Sequence, residues 1–156
     1  RPVGPDEPVD IVVLARPWAA SDPLVSALHR DGVPHLVATV RGGTGIVGPL
    51  VVPGSTGCLH CGDLHRRDAD PRWPRLAAQL TGAEPPVSGA TVTCLLTAAV
   101  GAVQTLAFLE GGAAPAALDA TLELRPPGLL PVRREWPPHP DCGCARSPDA
   151  GRSRTA

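Results

Sequence analysis

The chain has 156 residues, with 20 prolines, 17 glycines, one phenylalanine and neither methionine nor tyrosine. That length supports one domain with a real core. The 14 basic residues are all arginine and the formal net charge is −1, so nothing in the charge selects a polyanion, and nucleic acid is not an expected partner. Without methionine, Arg1 cannot be a translation start, and the expectation is a processed product or a piece of a longer chain.

In chain order, residues 1–8 are Pro-rich and read as a connector. Val9 to Ala15 is a continuous β-branched run, the mark of a strand buried on both faces. Ser21 and Asp22 are N-cap candidates, with Pro23 suited to the first turn of a helix that runs to Arg30 and stops at Asp31-Gly32. Pro34 to Val40 is a second apolar run, so residues 9–40 read as a parallel strand–helix–strand unit. Gly42, Gly43 and Gly45 make a turn, and Ile46 to Val52 forms a third strand, antiparallel across it.

Pro53-Gly54 leads out of the sheet to the first cysteine pair. Arg72 to Leu80 predicts a short helix and Ser88 to Leu109 a long one, ended by Gly111-Gly112. Ala90 to Leu109 carries no charge over about the length of a membrane span. Its threonines, Gln104 and lack of arginine or aromatic anchors favour a buried core helix instead, so no membrane partner is expected. Leu118 to Leu124 and Leu130 to Arg134 alternate around Pro126-Pro127-Gly128 as a hairpin. The second cysteine pair follows, and residues 145–156 read as a disordered tail.

The cysteines fall as Cys58-Leu59-His60-Cys61, Cys142-Gly143-Cys144 and a lone Cys94. Two close pairs are metal-ligand spacing and suit a reducing cytoplasm better than a disulfide framework. Zinc takes four thiolates in a tetrahedron, and each tight knuckle presents two on one side. Cys58, Cys61, Cys142 and Cys144 are therefore the expected ligands of one structural zinc, with no open coordination position for catalysis. The alternatives are two unrelated reduced pairs or a disulfide within each. His60, His65 and His139 are spare candidates left outside the ligand set.

No catalytic residue emerges. Gly-x-Gly-x-x-Gly is absent, and without lysine no Walker-type loop exists. The Gly42–Gly45 stretch lies between strands and not before a helix. Cys94 sits in the apolar helix without an acid–base partner and reads as a buried hydrophobe. The polar segment from His65 to Trp73 reads as a solvated face over the knuckle, with Arg66, Arg67 and Trp73 as candidate partner contacts.

The stretches GIVGPLVVPGSTGCLHC, DLHRRDADPRWPRLAAQL and REWPPHPDCGC resemble the C-terminal half of the ThiF-like proteins, the bacterial relatives of ubiquitin-activating enzymes. The nearest likeness is to the ThiF-like, leader-peptide-binding components of azoline-forming cyclodehydratases in bacteriocin (RiPP) biosynthesis. It implies an α/β fold over residues 9–144: a partial Rossmann-like (ThiF-type) mixed sheet with flanking helices and a zinc-stapled C-terminal hairpin. It also implies a scaffold that is non-catalytic by itself, with a YcaO-type ATP-dependent subunit and a precursor peptide as partners, and it favours a homodimer. In ThiF-type adenylyltransferases the first strand runs into an Asp-x-x-Asp-Asn segment serving Mg-ATP. Here that place reads Ala15-Arg16-Pro17-Trp18, without a carboxylate. The alternative is a fragment of a ThiF/MoeB-type adenylyltransferase acting on a ubiquitin-like or sulfur-carrier protein.

Overall fold

A computed structural model describes residues 8–16, 22–81 and 89–145. The expectations at Ser21, Pro17-Trp18, Ser88, most of the N-terminal connector and nearly all of the C-terminal tail lie outside those residues.

β1 (Val12–Leu14) leads to α1 (Pro23–Arg30) and back to β2 (His35–Arg41), parallel to β1. Asp22 caps α1 as expected, its carboxylate accepting from Leu24 N at 2.8 Å. β3 (Thr44–Val51) returns antiparallel to β2 through Gly42 and Gly43. Both take positive φ, the pair of left-handed residues that a two-residue hairpin turn demands. Two helices follow, α2 (Leu59–Ala69) and α3 (Trp73–Thr81), then α4 (Thr91–Glu110). The hairpin β4 (Ala120–Leu124) and β5 (Pro131–Glu135) completes a five-stranded mixed sheet of order β1-β2-β3-β4-β5.

Strand alternation assigns the two faces. Leu36, Val47, Leu50 and Leu122 form the core on one face, with Val100 and Phe108 of α4 packed against it. Leu14, Val25, Leu28 and Val37 form the core on the other, between α1 and the sheet, and Leu59 at the start of α2 joins them. The expected mixed α/β sheet with flanking helices is what the chain adopts.

β1 is shorter than expected and is not buried on both faces, since as an edge strand it leaves Val13 47% exposed. Two further elements differ from expectation. The polar segment after the first knuckle is not merely a solvated face but the helix α2. It carries Asp63, His65, Arg66, Arg67 and Asp68, and it buries only Cys61, Gly62 and Leu64. Two of its inward positions are thus a cysteine and a glycine, so it shows no apolar period to read.

The second of these is α4. It forms as a long helix but is not a buried core helix: its buried residues are Thr93, Thr97, Gly101 and Gln104. Val92, Leu95, Val103, Leu106 and Leu109 stay half or more exposed. The small and polar stripe goes inward because the sheet approaches closely there. A Cβ on Gly45 would collide with the Thr97 hydroxyl, and one on Gly101 would lie 3.3 Å from the Ala38 methyl. The buried polar atoms are satisfied: Thr97 Oγ1 donates to Thr93 O at 2.7 Å, and Ala117 N donates to Gln104 Oε1 at 2.9 Å. By length and composition alone this helix is apolar enough to cross a membrane, although one face is occupied by β2 and β3.

Candidate metal centre

Cys58 occupies the N-cap position of α2 and Cys61 lies in its first turn, which brings the two sulfurs to 3.9 Å. Cys144 lies in the short 3-10 turn Gly143–Ala145 that follows β5, with Cys142 directly before it, and Cys142 N donates to His139 O at 2.9 Å. The two knuckles face each other, with Cys58 Sγ 3.6 Å from Cys142 Sγ and Cys61 Sγ 3.3 Å from Cys144 Sγ. All four sulfurs lie within 4.8 Å of one another. A tetrahedral thiolate site with bonds near 2.3 Å has sulfur–sulfur edges of about 3.8 Å. The cluster is close to that shape and could hold a metal ion. None of the five cysteines is disulfide-bonded, so the alternative of an intrapair disulfide does not describe this structure.

The thiols differ in their electrostatics. Burial pushes the Cys58 thiol up to about 12, with the neighbouring thiols adding to it. Burial and the surrounding sulfurs raise Cys144 as well. Cys61 also pays for burial, but backbone hydrogen bonds at His139 and Cys58 and thiol donors from Cys144 and Cys142 outweigh it and lower its pKa. Without a cation, Cys58 and Cys144 keep their protons at neutral pH. A divalent ion displaces them, which is the usual coupling of metal loading to proton release.

The knuckles are positioned by residues that sequence reasoning missed. Gly57 N donates to Asp119 Oδ1 at 2.6 Å, and Trp136 N donates to Asp119 O at 2.6 Å. Asp119 thereby ties the approach to Cys58 to the exit of β5. It does so in a left-handed conformation (φ 49°), which Asp tolerates better than most side chains. A Cβ on Gly57 would lie 2.8 Å from Trp136 O, so only glycine fits there. The sequence signal for this clamp is faint, because an isolated Leu-Asp carries no motif.

The three spare histidines stay outside the cluster of sulfurs. His139 is buried; its Nδ1 accepts from Asp141 N at 3.1 Å, which leaves Nε2 to donate to Asp68 Oδ2 at 2.9 Å. That bond, with Arg67 behind it, holds the Asp68 carboxyl below the ordinary range and pins α2 to the second knuckle. His65 stacks edge-on against His139 at 4.8 Å, with Nε2 2.9 Å from Pro137 O. His60 is exposed. Cys94 is half-buried on α4 with only a long contact to Gly89 O.

Arg66, Arg67 and Trp73 do not form one patch of free side chains. Arg66 lies 4.3 Å over the Trp136 ring and 5.1 Å over Trp73, and burial lowers its pKa. Asp63 Oδ1 accepts from both Trp73 Nε1 at 3.0 Å and Arg66 at 3.5 Å. Arg67 is more exposed and pairs with Asp68 and Asp141. Trp136, whose Nε1 donates to Thr121 Oγ1 at 3.0 Å, has its ring centroid 6.3 Å from that of His65.

This is a ThiF-like fold, and its similarity to solved structures is extensive. E. coli MccB superposes with a TM-score of 0.65 at 18% identity, covering 94% of this chain and 42% of MccB. MccB with AMPCPP and MccA gives 0.64 at 21% identity, covering 86% of this chain and 39% of MccB. PaaA gives 0.55 at 16% identity, covering 84% of this chain and 43% of PaaA. At such identities the likeness is one of fold, and the chain spans about two fifths of those proteins. No family model and no curated protein matches the chain.

Proposed function

We propose that the chain is a zinc-stabilised ThiF-like scaffold in a peptide-modifying cyclodehydratase. It works beside a YcaO-type ATP-dependent subunit that acts on a precursor peptide in the cytoplasm. The observation that carries this reading is the shared fold with MccB, which is described as a microcin C7 biosynthetic enzyme and was solved with MccA. Zinc is the ion that four clustered thiols favour, and Cys58, Cys61, Cys142 and Cys144 would hold it. Bound there it supplies a cross-link between α2 and the chain beyond β5, with no coordination position left for a substrate.

The segment after β1, Ala15-Arg16-Pro17-Trp18, carries no carboxylate for Mg-ATP, which supports a role apart from nucleotide chemistry. The partner subunit would meet Arg66, Arg67 and Trp73 on α2 and α3. A second copy would meet α4, whose Val92, Leu95, Ala99, Ala102, Leu106 and Leu109 are exposed at alternating spacings of three and four. That is the seam another helix packs against, and it is uncharged and so self-complementary. The second reading is a piece of an adenylyltransferase, favoured by the MccB structures that contain ATP or AMPCPP.

Calorimetric titration with Mg-ATP and co-purification with a YcaO-type subunit decide between them. The scaffold reading expects no nucleotide binding and a stable complex. Micromolar ATP binding, or pyrophosphate exchange with a peptide or carrier-protein tail, moves the assignment to the adenylyltransferase.

A further inference from the structure

On the sheet face that α2 covers, the cross-strand row Thr39, Ile46, Glu123 and Val132 follows from the pairings of β2 through β5. Arg41 is two positions beyond Thr39 on β2, and Arg134 two beyond Val132 on β5, so both share this face. Arg66 stands above it, close enough to be repelled by both other guanidiniums.

Cation and acceptor do not balance here. Glu123 is already held by Arg125 and Arg134. Asp63 is shared between Arg66 and Trp73. Arg41 has no carboxylate partner among the described residues, and its Nε is shut off from solvent without a hydrogen-bond acceptor. Two residues away the Thr39 hydroxyl is also buried without a partner, the residue being 4% exposed. A buried donor on a guanidinium costs free energy unless an acceptor meets it. Apolar side chains at both positions would extend the Leu14–Val37 core at no such cost.

We propose that this face carries an oxyanion-binding site centred on Arg41, completed by Arg66 and Arg134, for a carboxylate- or phosphate-bearing ligand. The guanidinium fork accepts either group in bidentate fashion. Arg66 and Arg134 both lie against the Trp136 indole, 4.3 and 5.8 Å from its centroid, which sets the two cations in one neighbourhood. The site is distinct from the sulfur cluster and does not rest on the scaffold reading.

The test follows the arginine Nε–H resonances of the whole chain at constant ionic strength. The probes are capped Ala-Glu-Ala, capped Ala-Gln-Ala and inorganic phosphate. A saturable shift of the Arg41 signal with the glutamate peptide identifies a carboxylate ligand, and one with phosphate identifies a phosphate ligand; either supports the site. Arg41→Gln should abolish the accompanying shift of the Arg66 signal without lowering the melting temperature, and Arg134→Gln should weaken binding read at Arg41 roughly ten-fold, as loss of a charge-assisted hydrogen bond predicts. Arg134 is largely exposed, so its variant carries the test if Arg41→Gln fails to fold. No saturable shift with either anion overturns the proposal. So does an equal response to the glutamine peptide, or unchanged affinity in both variants.

Discussion

Removing the proposed metal cross-link is the perturbation with the largest expected effect. Cys61 and Cys144 are 83 positions apart in sequence, so an ion bridging them closes most of the chain into a loop. Treated as a covalent link, closure of such a loop restricts the unfolded chain by about 4.5 kcal/mol. For a chain of this size that corresponds to a loss of roughly 10–20 °C in melting temperature. The whole metal-binding free energy, about 10–16 kcal/mol in small zinc domains, sets the upper limit. Cys142→Ser breaks one bond and one knuckle and should approach the loss seen on chelation. Metal content by emission spectroscopy and thermal melting of native, chelated and Cys142→Ser protein make the measurement. Native protein should carry about one ion per chain, and the other two should melt together at the lower temperature. A native metal ratio near zero, or melting of all three within about 2 °C, would falsify the cross-link.

Three further outcomes follow from the geometry. Trp136→Phe leaves the buried Thr121 hydroxyl without its donor and should cost about 1–3 kcal/mol in urea titration. Adding Thr121→Val should recover part of that loss, and strict additivity of the two single effects would show that the bond is irrelevant. Asp68 has a depressed folded pKa, so its contribution is complete above the unfolded value near 4 and is lost as pH falls through the folded one. Asp68→Asn should therefore lower stability at neutral pH and converge with the native protein in acid; parallel curves would contradict the His139 clamp. On the proposed pairing of two copies, Leu95→Glu with Leu106→Glu, both on the exposed stripe of α4, should shift sedimentation from dimer to monomer with little change in melting temperature. A large drop in melting temperature would mean that the stripe is packed within the monomer.

The sequence by itself determined the local elements whose signals are local. β-branched runs marked β1, β2 and β3, Asp22-Pro23 marked the start of α1, and Gly42-Gly43 marked the turn that makes β3 antiparallel. The four cysteines were legible as one set because their spacing carries the chemistry. Only the tertiary structure decided what each helix buries. α2 has no continuous apolar stripe, since the sulfurs and the indoles around Arg66 hold it alongside only Leu59 and Leu64. α4 reads as apolar all round, yet its orientation was settled by how closely Gly45 and Ala38 allow it to approach, which admits Thr97 and Gly101 and turns the leucines outward. Likewise the Asp119 clamp, the His139–Asp68 bond and the orphaned Arg41 join residues from distant parts of the chain. Composition and periodicity record what a residue is and what its neighbours are. They do not record which distant surface closes over it, and that closure is what places a donor beside an acceptor or leaves it without one.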